Sequence, residues 1–385
     1  MCNAAALRLL LPRSADAHKG QTYEHQQGRK ILADMEHVID FVQMQRFKDP
    51  LLVEVLHAMR TRDGKKISDA AWTAIYQTEL KANDPRLRNA RGWYESAYEW
   101  RFVSYAMHAH AKLDAHLAKK LLFYIPAVDR ASVSGLSRKI FDDMRREPNI
   151  AKTGKLCGVL PVFEGMEMIL GDTVLPPKFV RGSPCTVVGV ELHPQEPPID
   201  GRESIAADGC VVLLYMPKCI YVRMDKRDEA APKGSVLLPL KKDFDVSDVL
   251  AIRPKPASWK FTSSEYKRAM QVTRTQIPLL PRKQCTLHGV QGKTAEPGFI
   301  VHWHYPASLS VAAKWLACYV SLSRPQSFKQ LLSHGLPSRE LIEGGPPQEW
   351  LEELDKLFPQ AKIDKTKADC AEARRELGWP ARKAP

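Results

Sequence analysis

Thr286-Leu-His-Gly-Val-Gln-Gly-Lys-Thr294, followed at a distance by Tyr319-Val-Ser-Leu-Ser-Arg324, is the stretch whose reading decides the fold. Its Gly292-Lys293-Thr294 ends like a phosphate-cradling loop. Such a loop needs G-x-x-x-x-G-K-[ST], because the first glycine lets the chain turn so that successive N–H groups face the phosphates. Counting back from Gly292 places Leu287 where that glycine must stand, and Gly289 comes too late. The spacing therefore speaks against a P-loop. The residue types still carry chemistry. Gln and Thr donate and accept at once, a glycine permits close backbone approach, and Arg presents a fixed fork of donors suited to charge on phosphoryl oxygens.

The H-x-x-Q-G-x-T pattern, the apolar run Gly298-Phe-Ile-Val-His-Trp303 and then Y-V-S-L-S-R together resemble the C-terminal motor motifs of superfamily-one DNA helicases of the petite-integration-frequency (PIF) and RecD type. The resemblance implies an α/β fold, a RecA-like (P-loop NTPase-type) second motor domain with an inserted small β-barrel. By position it makes Thr286, His288, Gln291, Gly292 and Thr294 a coupling segment between nucleotide and nucleic acid, with Lys293 on the DNA side. It makes Arg324 the arginine that reaches the γ-phosphate. A ligand-facing Arg324 should be dispensable for folding. The alternative for such an arginine is a cation near a helix C-terminus.

Lys and Arg outnumber Asp and Glu by 57 to 44 in 385 residues, a net charge of +13, which favours a polyanionic partner over an acidic-surface function unless the excess is diffuse. Eight scattered cysteines without C-x-x-C spacing read as thiols of a reducing compartment. No apolar run is long enough to span a bilayer, so no membrane partner is expected. The acid-poor start with Arg8 and Arg13 is compatible with an organellar transit peptide or with arbitrary sequence.

Along the chain, Ile31, Leu32, Met35, Val38, Ile39 and Val42 have helical spacing. Asp49 and Pro50 then start a new helix to Arg60, and Ser68 caps another with Trp72, Ile75 and Tyr76 inward. This order resembles the segment after the first motor domain of the same helicases, which makes Arg46 a second candidate for phosphate contact; a pair with Asp49 is the other reading. Residues 81–95 read as a loop, Phe102–Met107 as a buried strand, and Leu113, Leu117 and Leu121 as the face of a following helix. His108, His110, Asp114 and His116 put only two ligands on one helical face, short of a metal site. Residues 131–155 read as a basic linker or an exposed arm.

Short β runs between Leu156 and Ile252 read as a small barrel or sandwich. Gly165 and Gly182 match family glycines there, with Arg181 and Cys185 as departures from its pattern. Trp259, Lys260 and Tyr266 interleave aromatics with bases, which suits stacking on unpaired nucleotides or a hinge whose rings pack back. Leu309–Leu322 reads as a core helix, Glu349–Phe358 as an amphipathic helix, and the final residues as a loose basic tail.

The expected organisation is a ragged 1–30, a RecA-like part over 31–155, a barrel over 156–252, the rest of the RecA-like domain over 253–345, and a helical basic tail over 346–385. The chain contains no P-loop sequence, and its acidic doublets Asp142-Asp143 and Glu352-Glu353 lie in helical surroundings. The resemblance implies ATP and Mg²⁺, held mainly by an N-terminal RecA-like ATPase domain outside this chain, with single-stranded DNA as partner. It implies an intracellular setting, nucleus or mitochondrion in a eukaryote. The alternative function is a nucleic-acid-binding remnant without ATP turnover.

Overall fold

The computed structural model describes residues 34, 47–174, 176, 179–199, 209–224, 249–263 and 269–376. The helix expected between Gly28 and Arg46, the strand expected at 236–240, and Arg46 and Tyr266 lie outside the described residues. The chain forms two compact units. Met1–Ala82 with Leu287–Pro385 make the first, and Asn83–Thr286 make the second. Composition had placed the texture changes at 155 and 252 instead.

In the first unit, α1 (Pro50–Arg60) has the N-cap Asp49, which accepts from Leu51 N at 3.0 Å, with proline in the first turn. Leu52, Val55, Leu56 and Met59 form its buried stripe. The other Asp49 oxygen accepts from Phe328 N at 2.9 Å, so one carboxylate both starts the helix and ties it to the far end of the unit. Ser68 caps α2 (Asp69–Gln77), burying Trp72 and Ile75. Tyr76, expected inward, is 55% exposed.

In the second unit, a single helical turn (Arg86–Asn89) leads into β1 (Tyr94–Ala97), within what the sequence offered as a loop. The strand expected at Phe102–Met107 is instead part of α3 (Trp100–Leu117). Its buried residues Val103, Ala106, Met107, Ala111 and Ala115 recur every three to four positions, while Tyr105 is 74% exposed. Phe, Val and Tyr have strand propensity, but small alanines complete a helical face that bulky residues alone do not outline. Leu117 lies off that face and is exposed.

β2 (Leu122–Pro126) and β3 (Val128–Ala131) follow, then α4 (Arg138–Arg145), capped by Ser137, where a linker was expected. Only Ile140 and Met144 mark its inner side, too few to show a period. Gly158 lets this region close up, because a Cβ there would meet the Arg145 carbonyl oxygen at 1.7 Å. The expected β texture then appears as β4 (Val159–Val162), β5 (Glu167–Leu170), β6 (Pro184–Glu191), β7 (Cys210–Val212), β8 (Cys219–Met224) and β9 (Val249–Ile252). The unit ends with β10 (Lys255–Thr262), β11 (Ala269–Gln276), β12 (Leu279–Pro281) and β13 (Gln284–Thr286).

The described strands form no closed barrel. They make a five-stranded sheet of order β12-β5-β6-β8-β9, a three-stranded sheet β4-β2-β7, and a third sheet β10-β11-β3, while β13 runs parallel to β1. The first two sheets and α3 share one core, including Leu122, Leu160, Met168, Val187, Val222 and Met107. Strand β8 alternates as a pleat requires: Ile220, Val222 and Met224 enter that core, and Cys219 and Tyr221 join a second cluster. Gly165 and Gly182 adopt φ of +93° and +88°, as turn glycines do. Cys185 needs no such conformation, since it sits buried in β6 opposite Met168 and Met224.

Returning to the first unit, β14 (Phe299–His302) is buried throughout and pairs in parallel with β15 (Leu331–His334), with α5 (Val311–Leu322) as the crossover that parallel strands need. Ser333 also bonds both ways with the end of α2, to Thr78 O at 2.9 Å and Leu80 N at 2.8 Å. The unit closes with α6 (Arg339–Glu343), α7 (Gln348–Leu357) and α8 (Gln360–Glu376). Glu343 accepts from Trp72 Nε1 at 3.1 Å and Ile67 N at 3.2 Å, holding α6 to α2. The helix α8 lies in the expected helical basic tail and orders residues that also read as loose: its Ala, Lys and Glu favour helix without supplying an apolar period.

Candidate functional site: the motif loop and its arginine

β13 ends at Thr286, half-buried and paired with Ala97. The first unit resumes in a 3-10 turn, Leu287–Val290, anchored by buried Leu287 and Val290. These two apolar side chains face in, so His288 and Lys293 are left exposed, with Gln291 and Thr294 half-buried. Gly292 carries the turn at φ +78° with nothing within 4 Å of the position a Cβ would take. The glycine is needed for its backbone, and a side chain would find open space there.

Arg324 lies beneath this loop at the C-terminal end of α5 and is only 3% exposed. Its Nη1 donates to the carbonyls of Lys293 at 3.0 Å and Val290 at 3.4 Å, its Nε to Val320 O at 3.0 Å, and its Nη2 to Ser323 Oγ at 2.8 Å. The Arg324 carbonyl accepts from Ala295 N at 3.2 Å, which closes the loop from its other side. The expectation was a ligand-facing arginine, dispensable for folding; in this structure the guanidinium points into the fold instead. The fork is spent on carbonyls that the loop and the helix end leave without intrahelical partners. Tyr319, one turn earlier, stacks on Trp315 at 5.3 Å and 3° between planes, and burial raises its phenol despite the opposing charges of Arg60 and Arg324.

The other expected nucleic-acid residues divide. Trp259 is 4% exposed, edge-on to Phe261 at 5.5 Å with the Arg274 guanidinium over its ring at 5.0 Å. It is a core residue of β10, as in the reading where the rings pack back, because strand alternation turns it inward while its neighbours Ser258 and Lys260 face solvent. Arg274 itself is fully buried and pairs with Asp129 through Nε and Nη2 at 2.8 and 2.9 Å. That pair was missed in the sequence; its only signal is Asp129 beside Arg130 in one short strand and Arg274 in another.

His110 lies in the interior of α3. Its Nε2 lies 2.5 Å from Glu95 Oε2, with both side chains largely buried. Burial alone would lower the imidazole, but the hydrogen bond and charge of Glu95, with the charge of Asp114, outweigh it and leave His110 raised. Burial raises Asp114, partly offset by His110, Arg91 and Lys283. His108 is lowered by burial against Tyr124.

The described residues do not offer a fit for ATP with Mg²⁺. The motif loop lacks the P-loop spacing, and Asp142 is on helix α4, 3.5 Å from Arg145 in an i,i+3 pair.

No family model matches the chain, and no curated protein matches it. Solved structures do. The Pif1 helicase from Candida albicans aligns at 14% identity over 91% of this chain and 67% of its own, with a TM-score of 0.46. The chain is similar to Pif1 helicases. Bacteroides Pif1 bound to ssDNA gives 14% identity, 92% and 66% coverage and a TM-score of 0.46. Bacteroides Pif1 in complex with ADP-AlF3 and ssDNA gives 12%, 91%, 65% and 0.46. The chain thus spans about two thirds of the length of these Pif1 structures. Overlap at this level assigns neither activity nor site residues.

Proposed function

We propose that the chain is the C-terminal motor half of an ATP-dependent DNA helicase of the PIF and RecD type. It contributes single-stranded DNA contacts through the exposed side of the 286–294 segment, and its β-rich second unit takes the place of the family's small barrel. The observation that carries this reading is the juxtaposition of the two motifs. Arg324 is fastened to Lys293 and Val290, 31 and 34 positions away, so that one polar turn presents His288, Gln291 and Lys293 together. ATP and Mg²⁺ are assigned to an N-terminal RecA-like ATPase domain outside this chain, whose P-loop amides and carboxylates supply the positioning that these residues lack.

The engagement of Arg324 favours a second reading, a DNA-binding remnant without turnover. An arginine committed to four oxygens reaches a γ-phosphate only after leaving them. The test is ATP hydrolysis by the purified chain with and without single-stranded DNA, then with the helicase ATPase domain added. Background hydrolysis alone and DNA-stimulated turnover on addition support the motor half. Background in both supports the remnant, and robust hydrolysis by this chain alone overturns both.

A further inference from the structure

The sheet of order β10-β11-β3 has one covered face and one whose described residues are exposed or half-buried. On the covered face Trp259, Phe261, Met270 and Val272 pack against Ile140 and Met144 of α4. Strand register fixes what stands on the other. Lys260 is opposite Gln271, and Ser258, Thr273 and Arg130 form one row across all three strands, with Thr275 in the next.

The sequences of the three strands, VDRA, KPASWKFT and AMQVTRTQ, contain a single carboxylate. That one, Asp129, is turned inward and consumed by buried Arg274. Among the described residues, the outward face therefore carries cations, hydroxyls and an amide, with Pro256 and Val128 beside Thr275, and no acid to neutralise the cations. Arg130 and Lys260 are exposed and make no ion pair among the described residues, whereas Lys255 at the start of the same β10 is tied to Asp172. By strand spacing and rise, Arg130 and Lys260 are about 12 Å apart, far enough to meet different charges of an extended ligand.

We propose that this outward face, with Arg130 and Lys260 as its cations, is a track for the phosphate backbone of single-stranded DNA. It deepens the DNA-binding part of the function proposed above and rests on it. Charge complementarity selects a polyanion, and hydroxyl and amide donors suit phosphate oxygens. The aromatic rings of the sheet are on the covered face, so bases find no stacking partner here and binding is independent of sequence.

The experiment is fluorescence anisotropy of labelled oligodeoxythymidylate and oligodeoxyadenylate with the full chain across a KCl titration. Arg130→Ala/Lys260→Ala is compared with a charge-matched control on α8, Lys365→Ala/Lys367→Ala, after circular dichroism shows that both melt like the parent. Losing two phosphate contacts on a single strand should reduce the log–log salt slope by about 1.4. Affinity at low salt should fall about tenfold for both oligonucleotides, and the control should change it less than about twofold. Equal behaviour of the two double variants overturns the track while leaving DNA binding elsewhere intact. A loss confined to one base sequence, or displacement of the DNA by polyglutamate at matched charge, also overturns it. A parent chain that binds neither oligonucleotide at low salt overturns the underlying DNA-binding reading as well.

Discussion

Replacing Arg324 by alanine should unfasten the motif loop and destabilise the first unit. The substitution removes four charge-assisted donors and leaves the carbonyls of Lys293, Val290 and Val320 to find other partners. A hydrogen bond from a charged group contributes about 1.5 to 3 kcal/mol, and a buried acceptor left without a partner costs about 1 to 3 kcal/mol. These terms overlap rather than add, and water entering beside the exposed loop offsets part of them, so about 3 kcal/mol is expected. For a unit of this size that corresponds to a fall in Tm of about 6 to 12 °C. Arg324→Lys should lose somewhat less, since one ammonium keeps the charge but cannot span both loop carbonyls and Val320 O. Gln291→Ala, in the same loop but half-exposed, should move stability by no more than about 0.5 kcal/mol. Thermal melting by circular dichroism gives the global effect. Hydrogen exchange at the amides of Lys293 and Ala295, which donate to Val290 O and Arg324 O, reports the loop itself. A melting temperature within about 2 °C of the parent, with both amides still protected, would refute the argument and restore Arg324 as a ligand-facing group.

Two further outcomes follow from the second unit. His110 has its folded value raised above the ordinary 6.5 by Glu95 and Asp114 against the pull of burial; its contribution to stability is complete below about pH 6.5 and is lost as pH rises through the folded value. Melting of the parent should therefore weaken from pH 6 to pH 8, and His110→Gln should flatten that dependence; an unchanged slope would show that the pair is not coupled to folding. Trp259→Ala should cost about 3 to 5 kcal/mol as a core truncation, so any loss of DNA affinity should vanish where the variant is fully folded, and a folded Trp259→Ala chain with specifically weakened DNA binding would contradict the packing role.

Local chemistry was legible wherever it acts over a few residues. Asp49, Pro50 and Ser68 announce helix starts because a cap needs only a side-chain oxygen and nearby free N–H groups. Strands β4 to β8 announce themselves by β-branched runs between turns, and β14 by an unbroken apolar run. Where the pattern was thin it misled. α3 hides a helical face made largely of alanines, and α4 has two inward residues.

The sequence by itself therefore determined the motifs, their order, the exclusion of a P-loop by spacing, and the chain's excess of positive charge. Only the tertiary structure decided what those residues face. Arg324 turns under the loop because the Lys293 and Val290 carbonyls lie within reach once α5 is packed. Trp259 turns in and Lys260 out because a strand alternates, and which side becomes the inside depends on where α4 lands. Asp129 meets Arg274 across 145 residues through register alone. A spacing rule describes neighbours along one element, whereas burial is set by what another element covers, and that is written in no single stretch of the chain.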